Sequence, residues 1–191
     1  MAKTFLKNCR MLDGTTAPAV EDAVVVYDSG TELLEYAGPA AGAPEAGAGD
    51  EVVDCKGYTV MPGLFNVHAH MNLVMPFLPY RVDQYPAGYC ALMVYRRAIE
   101  AMQCGVTSIR CVADRHFADI AVRNAINKKM LWGPNLVACG MMMIAHNGHS
   151  NHNPHSVELS GYDEFLRESR MMIKAGADFL FLSGHQCLSD L

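Results

Sequence analysis

The chain has 191 residues, 51% of them hydrophobic and 18% charged, which is enough apolar mass to bury a core in one or two domains. A formal net charge of −5 and only 15 Lys and Arg, gathered into no basic stripe, argue against nucleic acid or an anionic membrane as a partner and favour a small-molecule substrate. No apolar run approaches the roughly 20 residues that span a bilayer. The opening Met1-Ala2-Lys3-Thr4-Phe5 lacks the hydrophobic region of a signal peptide, and seven cysteines without a Cys-x-x-Cys pair fit reduced thiols, so the expected location is cytoplasmic.

Residues 1–58 read as a small β-sandwich-like domain of short strands, Thr4 to Cys9, Ala23 to Tyr27, Leu33 to Ala37 and Glu51 to Asp54, with Asp13-Gly14 and Ser29-Gly30 at turns. Gly38 to Gly49 is almost wholly Gly, Ala and Pro and reads as a flexible surface connection. From Thr59 onward, strand-like runs alternate with segments of helical period, the pattern of a parallel α/β arrangement. The strands are Leu64 to Val67, Val106 to Val112, Asn135 to Met143 and one beginning near Asp178; the helices are Ala87 to Cys104, about Ala118 to Met130, and Tyr162 to Ala175. Ser160 is placed to cap the last helix, and Gly176 to close it. Leu64 to Val67 and Asn135 to Met143 read as strands buried on both faces, the second absorbing Met141-Met142-Met143 as core rather than as a metal site.

The chain turns on Val60-Met61-Pro62-Gly63-Leu64-Phe65-Asn66-Val67-His68-Ala69-His70. In a strand, side chains at i and i+2 leave the same face, so His68 and His70 point together from its C-terminal end. Two neutral imidazoles there begin a zinc site but do not finish it, since a catalytic zinc usually takes three protein ligands and a water. A βαβ series of this kind either opens into a doubly wound sheet or closes as an eight-stranded barrel. Histidines at a strand's C-terminal end lean towards the barrel, whose active sites lie on that rim.

These residues resemble the metal-dependent amidohydrolase superfamily, in particular its imidazolonepropionase-like and prolidase-like members. The agreeing blocks are Leu12-Asp13-Gly14 with Val24-Val25-Val26, Val53 to Gly57 with Pro62-Gly63-Leu64 through His70, and Gly105-Val106-Thr107; Gly133-Pro134-Asn135, Gly148-His149 and Gly176-Ala177-Asp178-Phe179 follow. The resemblance implies a (β/α)₈ TIM-type barrel with a small β domain, and hydrolysis of non-peptide or cyclic amide bonds, or of dipeptides. It also implies one or two divalent ions, usually Zn²⁺, that polarise the scissile carbonyl and lower the pKa of bound water towards about 7. His68 and His70 carry over as metal ligands and His149 as a substrate-binding residue. Where the family often places a carboxylated Lys this chain has Phe181, and residues 59–191 have room for about four strand–helix units, the N-terminal half of a barrel that needs about 250 residues. The expectation is therefore a partial barrel truncated after about its fourth strand. The alternative function is a catalytically inactive fragment acting as an interaction partner, as a homo-oligomer or with a full-length relative, since uncovered parallel strands invite pairing.

Other residues carry rival readings. His146, His149, His152 and His155 recur every three residues among Asn, Gly and Pro, which makes a loop; it is either solvated, the mouth of the site, or a small metal-binding module of its own. Asp114, just past the second strand, either faces the site or sits inert at the surface. Arg110 within an apolar strand either faces a carboxylate in the site or pairs structurally, the second being favoured. His116 and His185 read as ordinary histidines.

Overall fold

A computed structural model describes residues 2–74, 85–151 and 153–183. They form two compact units, Met1–Pro62 and Gly63–Leu191.

In the first unit β1 (Lys3–Met11), β2 (Val20–Asp28), β3 (Leu33–Pro39), β4 (Glu51–Asp54) and β5 (Thr59–Val60) build one five-stranded sheet, so Thr59 and Val60 belong to this unit. Its order is β3-β2-β1-β4, with β5 also on β1; β2 runs antiparallel to β1 and β3, while β4 and β5 run parallel to β1. The Val24-Val25-Val26 triplet explains the layering, because consecutive strand residues face opposite sides. Val25 packs with Cys9, Met11, Ala23 and Cys55 on one face, and Val24 and Val26 pack with Phe5 on the other. That second face is covered by Ala40, Ala43 and Ala46, the segment read from sequence as a flexible connection. The correction has a simple cause: a short 3₁₀ turn at Ala40–Gly42 lays methyl groups onto the valines, and Tyr36 joins them.

The second unit contains β6 (Leu64–Ala69), α1 (Ala87–Gln103), β7 (Val106–Cys111), α2 (Ala118–Asn127), β8 (Asn135–Val137), β9 (Met142–Ala145), β10 (Ser156–Leu159), α3 (Gly161–Ala175) and β11 (Leu182–Ser183). Among the described residues its strands are all parallel, in two three-stranded groups ordered β6-β7-β8 and β10-β9-β11. Cys90, Val94 and Ala98 of α1 and Ala118 and Val122 of α2 pack against Ile109, Cys111 and Leu136 of the first group. The helices therefore cover one face of that group, as a βαβ crossover requires.

Three expectations need correction here. The strand read over Asn135 to Met143 is broken into β8 and β9, because Gly140 takes a left-handed φ of 75° and the amides of Cys139 and Gly140 bond a side chain instead of a ladder. Met142 and Met143 are buried core in β9 as anticipated. β6 is not buried on both faces: Phe65 is 72% and Val67 62% exposed. Finally, Ser160 precedes α3 without a side-chain cap; instead Glu164 accepts its backbone N–H at 2.7 Å, the return half of a capping box shifted by one residue. Among the described residues no helix is long and apolar enough to cross a membrane.

Candidate functional site

The end of β6 is fixed by its neighbour. Ala69 pairs with Cys111 of β7, and the N–H of Val112 donates to the Ala69 carbonyl at 2.8 Å, so the chain leaves the sheet with His68 and His70 two residues apart. Their ring centroids lie 5.1 Å apart at an interplanar angle of 80°. His68 is exposed and His70 half-buried. His70 Nδ1 lies 2.7 Å from the Val112 carbonyl oxygen, which can only accept, so Nδ1 carries the proton and Nε2 keeps its lone pair. Burial pushes the His70 pKa below its ordinary value; the Val112 carbonyl opposes this and His68 adds to it. The Phe181 and His68 rings meet nearly at right angles, their centroids 5.9 Å apart.

Beneath this rim sits an acidic pair. Asp114 is fully buried, which overturns the surface reading, and its Oδ1 accepts the N–H groups of Met71 and Asn72 at 2.9 and 2.8 Å. Asn72 returns the contact through Oδ1 to the Arg115 N–H, and through its amide to the Arg115 carbonyl. Arg97 of α1 donates from one Nη to the carbonyls of Met71 and Leu73, at 3.0 and 2.6 Å. Asp119, at the start of α2, accepts the N–H groups of Cys139 and Gly140 on Oδ2 at 3.0 and 2.8 Å. Burial raises the pKa of both acids, that of Asp114 strongly, and the charge of Asp119 raises Asp114 further.

The loop histidines divide. His155 is 1% exposed, with neither ring nitrogen hydrogen-bonded, and burial pushes its pKa down to about 4, helped by His70 and Arg115. The Ala113 backbone pulls the other way but lies outside hydrogen-bonding geometry. His149 is exposed between β9 and β10, and His146 pairs with Glu158 at 3.0 Å. His152 and His185 lie outside the described residues. Arg110 finds a structural partner: its Nε donates to the Val67 carbonyl at 2.6 Å and its guanidinium lies 5.5 Å from the Phe179 ring centroid.

Sequence reasoning missed the burial of His155, Asp114 and Asp119. The one available signal was that Asp114 follows the apolar run Cys111-Val112-Ala113 directly, where a side chain still belongs to the strand's end. The donor chemistry of the rim fits a divalent ion in part. His70 is neutral, with Nε2 unclaimed by the carbonyl on its other nitrogen, and His68 stands beside it; among the described residues no third His, Cys, Asp or Glu joins them as a metal-binding group.

Two curated bacterial relatives resemble the chain, both 5-methylthioadenosine/S-adenosylhomocysteine deaminases. That of Symbiobacterium thermophilum is 36% identical over 70 residues, covering 34% of this chain and 16% of the relative. That of Moorella thermoacetica is 29% identical over 75 residues, covering 39% and 17%. A solved Xaa-Pro dipeptidase with methionine bound in its active site matches 95% of this chain and 47% of its own length, at 22% identity and a TM-score of 0.76. No protein-family model matches the chain. The likeness in fold is to amidohydrolase and prolidase structures, and the likeness in sequence to deaminases of the amidohydrolase superfamily. The resemblance to the amidohydrolase superfamily read from the sequence therefore stands as a likeness in fold and in part of the sequence. The chain spans less than half the length of these proteins.

Proposed function

We propose that the chain carries the metal-binding side of a hydrolase that cleaves carbon–nitrogen bonds in small molecules, with His68 and His70 as ligands to Zn²⁺, alone or as one of two divalent ions. The observation that carries this reading is the His70–Val112 hydrogen bond, which leaves Nε2 of a neutral imidazole free beside a second imidazole two residues away. The names of the relatives support the reaction class, since a deaminase and a dipeptidase both break carbon–nitrogen bonds. The fold is taken as the first part of a (β/α)₈ barrel, with β6, β7, β8 and its continuation β9, and β11 as successive strands.

When bound, the ion supplies Lewis acidity and a water activated at neutral pH. The chain's own residues do the positioning. The Val112 carbonyl fixes the tautomer of His70 and holds its ring beside β7. His149, exposed on the loop after β9, is assigned to face the substrate.

A second reading is favoured by the exposed apolar strand β6 and by the lack of a third ligand group among the described residues. In it the chain is inactive by itself and acts by joining other copies or a longer relative. Metal content and amide hydrolysis of the purified protein, measured beside His68→Ala and His70→Ala, separate the two. Bound zinc lost in both variants supports the hydrolase; metal-free wild-type protein after zinc loading rejects it.

A further inference from the structure

Asp114 and Asp119 are arranged alike. Each uses one oxygen to accept two consecutive backbone N–H groups, Met71 and Asn72 for the first, Cys139 and Gly140 for the second. Each leaves its other oxygen, Asp114 Oδ2 and Asp119 Oδ1, buried without a hydrogen-bond partner. The segments they hold are the turn directly after His70 and the break between β8 and β9. The Asp114 N–H also donates to the Gly140 carbonyl at 2.8 Å, so the two acids and the two segments form one connected unit.

Resting on the reading of His68 and His70 as ligands, we propose that Asp114 is a positioning residue for the His68-Ala69-His70 rim, acting as half of a carboxylic acid–carboxylate pair with Asp119. Geometry carries the positioning, and the burial of both acids carries the shared proton. The N–H groups of residues 71 and 72 have their acceptor only if Asp114 keeps an oxygen turned to them, and this holds the turn one residue beyond His70. Two buried carboxylates cannot both stay ionised without a compensating cation. The groups facing the pair are Cys90 and Arg97 of α1, Cys111 of β7 and Cys139 after β8. Arg97 donates from Nη1 to the carbonyls of Met71 and Leu73, and its single positive charge offsets one of the two carboxylates and leaves the other. A proton on one acid leaves the buried pair with a single negative charge.

The test uses the full chain and compares Asp114→Asn with Asp114→Ala. An asparagine keeps the acceptor for residues 71 and 72 and offers an amide N–H where the acid offers its proton; alanine removes both. Amide exchange at Met71 and Asn72, followed by NMR in metal-free protein, stays at the wild-type rate in Asp114→Asn and rises about tenfold or more in Asp114→Ala. Zn²⁺ affinity, measured by chelator competition, is kept in Asp114→Asn and falls about tenfold or more in Asp114→Ala, as for other groups that orient a ligand from behind. Asp119→Asn, which keeps the acceptor for Cys139 and Gly140, behaves as Asp114→Asn, and it decides the matter if Asp114→Ala does not fold. Asparagine variants as damaged as alanine would overturn the shared proton. Wild-type exchange in Asp114→Ala would overturn the positioning role. If wild-type protein takes up no zinc, the ligand reading fails, while the exchange measurements still judge the brace.

Discussion

Nδ1 of His70 lies 2.7 Å from the carbonyl oxygen of Val112, joining the residue after β6 to the residue after β7 across the parallel pair. A carbonyl cannot donate, so this single contact settles the ring's tautomer. Long-range ¹⁵N–¹H correlation spectra of the metal-free protein at neutral pH will show His70 protonated at Nδ1 and bare at Nε2. The reverse tautomer would remove the lone pair from the nitrogen assigned to the metal.

His155 makes the fold sensitive to acid. Its pKa is lowered from about 6.5 in the unfolded chain to about 4 in the fold, so between those values the unfolded chain binds a proton that the native protein refuses. Stability is complete above about pH 6.5 and falls as pH drops towards 4, by roughly 3 kcal/mol in all from this one group. His70, shifted in the same direction, adds to it. Because neither nitrogen of His155 is bonded, His155→Leu should raise stability at neutral pH by about 1 kcal/mol and flatten the acid limb of the curve. Urea midpoints measured across pH 4–8 in both proteins check this, and a wild-type midpoint independent of pH below 6.5 would refute it.

The turn after α3 is tied to α2 by an ion pair. Arg123, almost wholly buried, pairs with Asp178 and donates to the Gly176 carbonyl at 2.6 Å, while Asp178 also accepts the Ala138 N–H at 2.8 Å. Asp178 is 40% exposed, so its loss is partly screened. Asp178→Ala should cost about 1–2 kcal/mol, and Asp178→Asn, which keeps the acceptor for Ala138, about half of that. Thermal unfolding of the two variants gives the ratio.

Gly63 is demanded by close approach. A Cβ there would lie 2.7 Å from Cβ of Thr107 and closer still to its Oγ1 and Cγ2. Gly63→Ala should therefore destabilise by about 1–3 kcal/mol through overpacking, and adding Thr107→Ala should recover part of the loss, because the Thr107 Cβ remains. Equal stability of single and double variants would contradict this contact.

Much of this was legible in the sequence because it depends on local period. The placement of His68 and His70 follows from the two-residue repeat of a strand, and the three helices and the strands β6 and β7 from runs that need no distant partner. What was hidden depends on tertiary contacts. Ala138-Cys139-Gly140-Met141 reads as continuous strand until Asp119, about 20 residues earlier, takes two of its amides. Asp114 reads as a surface carboxylate until the turn at Met71 and Asn72 closes over it. His155 looks like one of four equivalent loop histidines; only the packing of the loop beside β9 buries it, with its backbone carbonyl accepting the Met142 N–H at 3.0 Å.

X-ray absorption at the zinc edge of the loaded protein tests the central claim most directly. Two imidazole nitrogens at about 2.0–2.1 Å, falling to one in His68→Ala and in His70→Ala, is the result expected if these rings hold the metal. A zinc environment without imidazole, or one unchanged by either substitution, would contradict it.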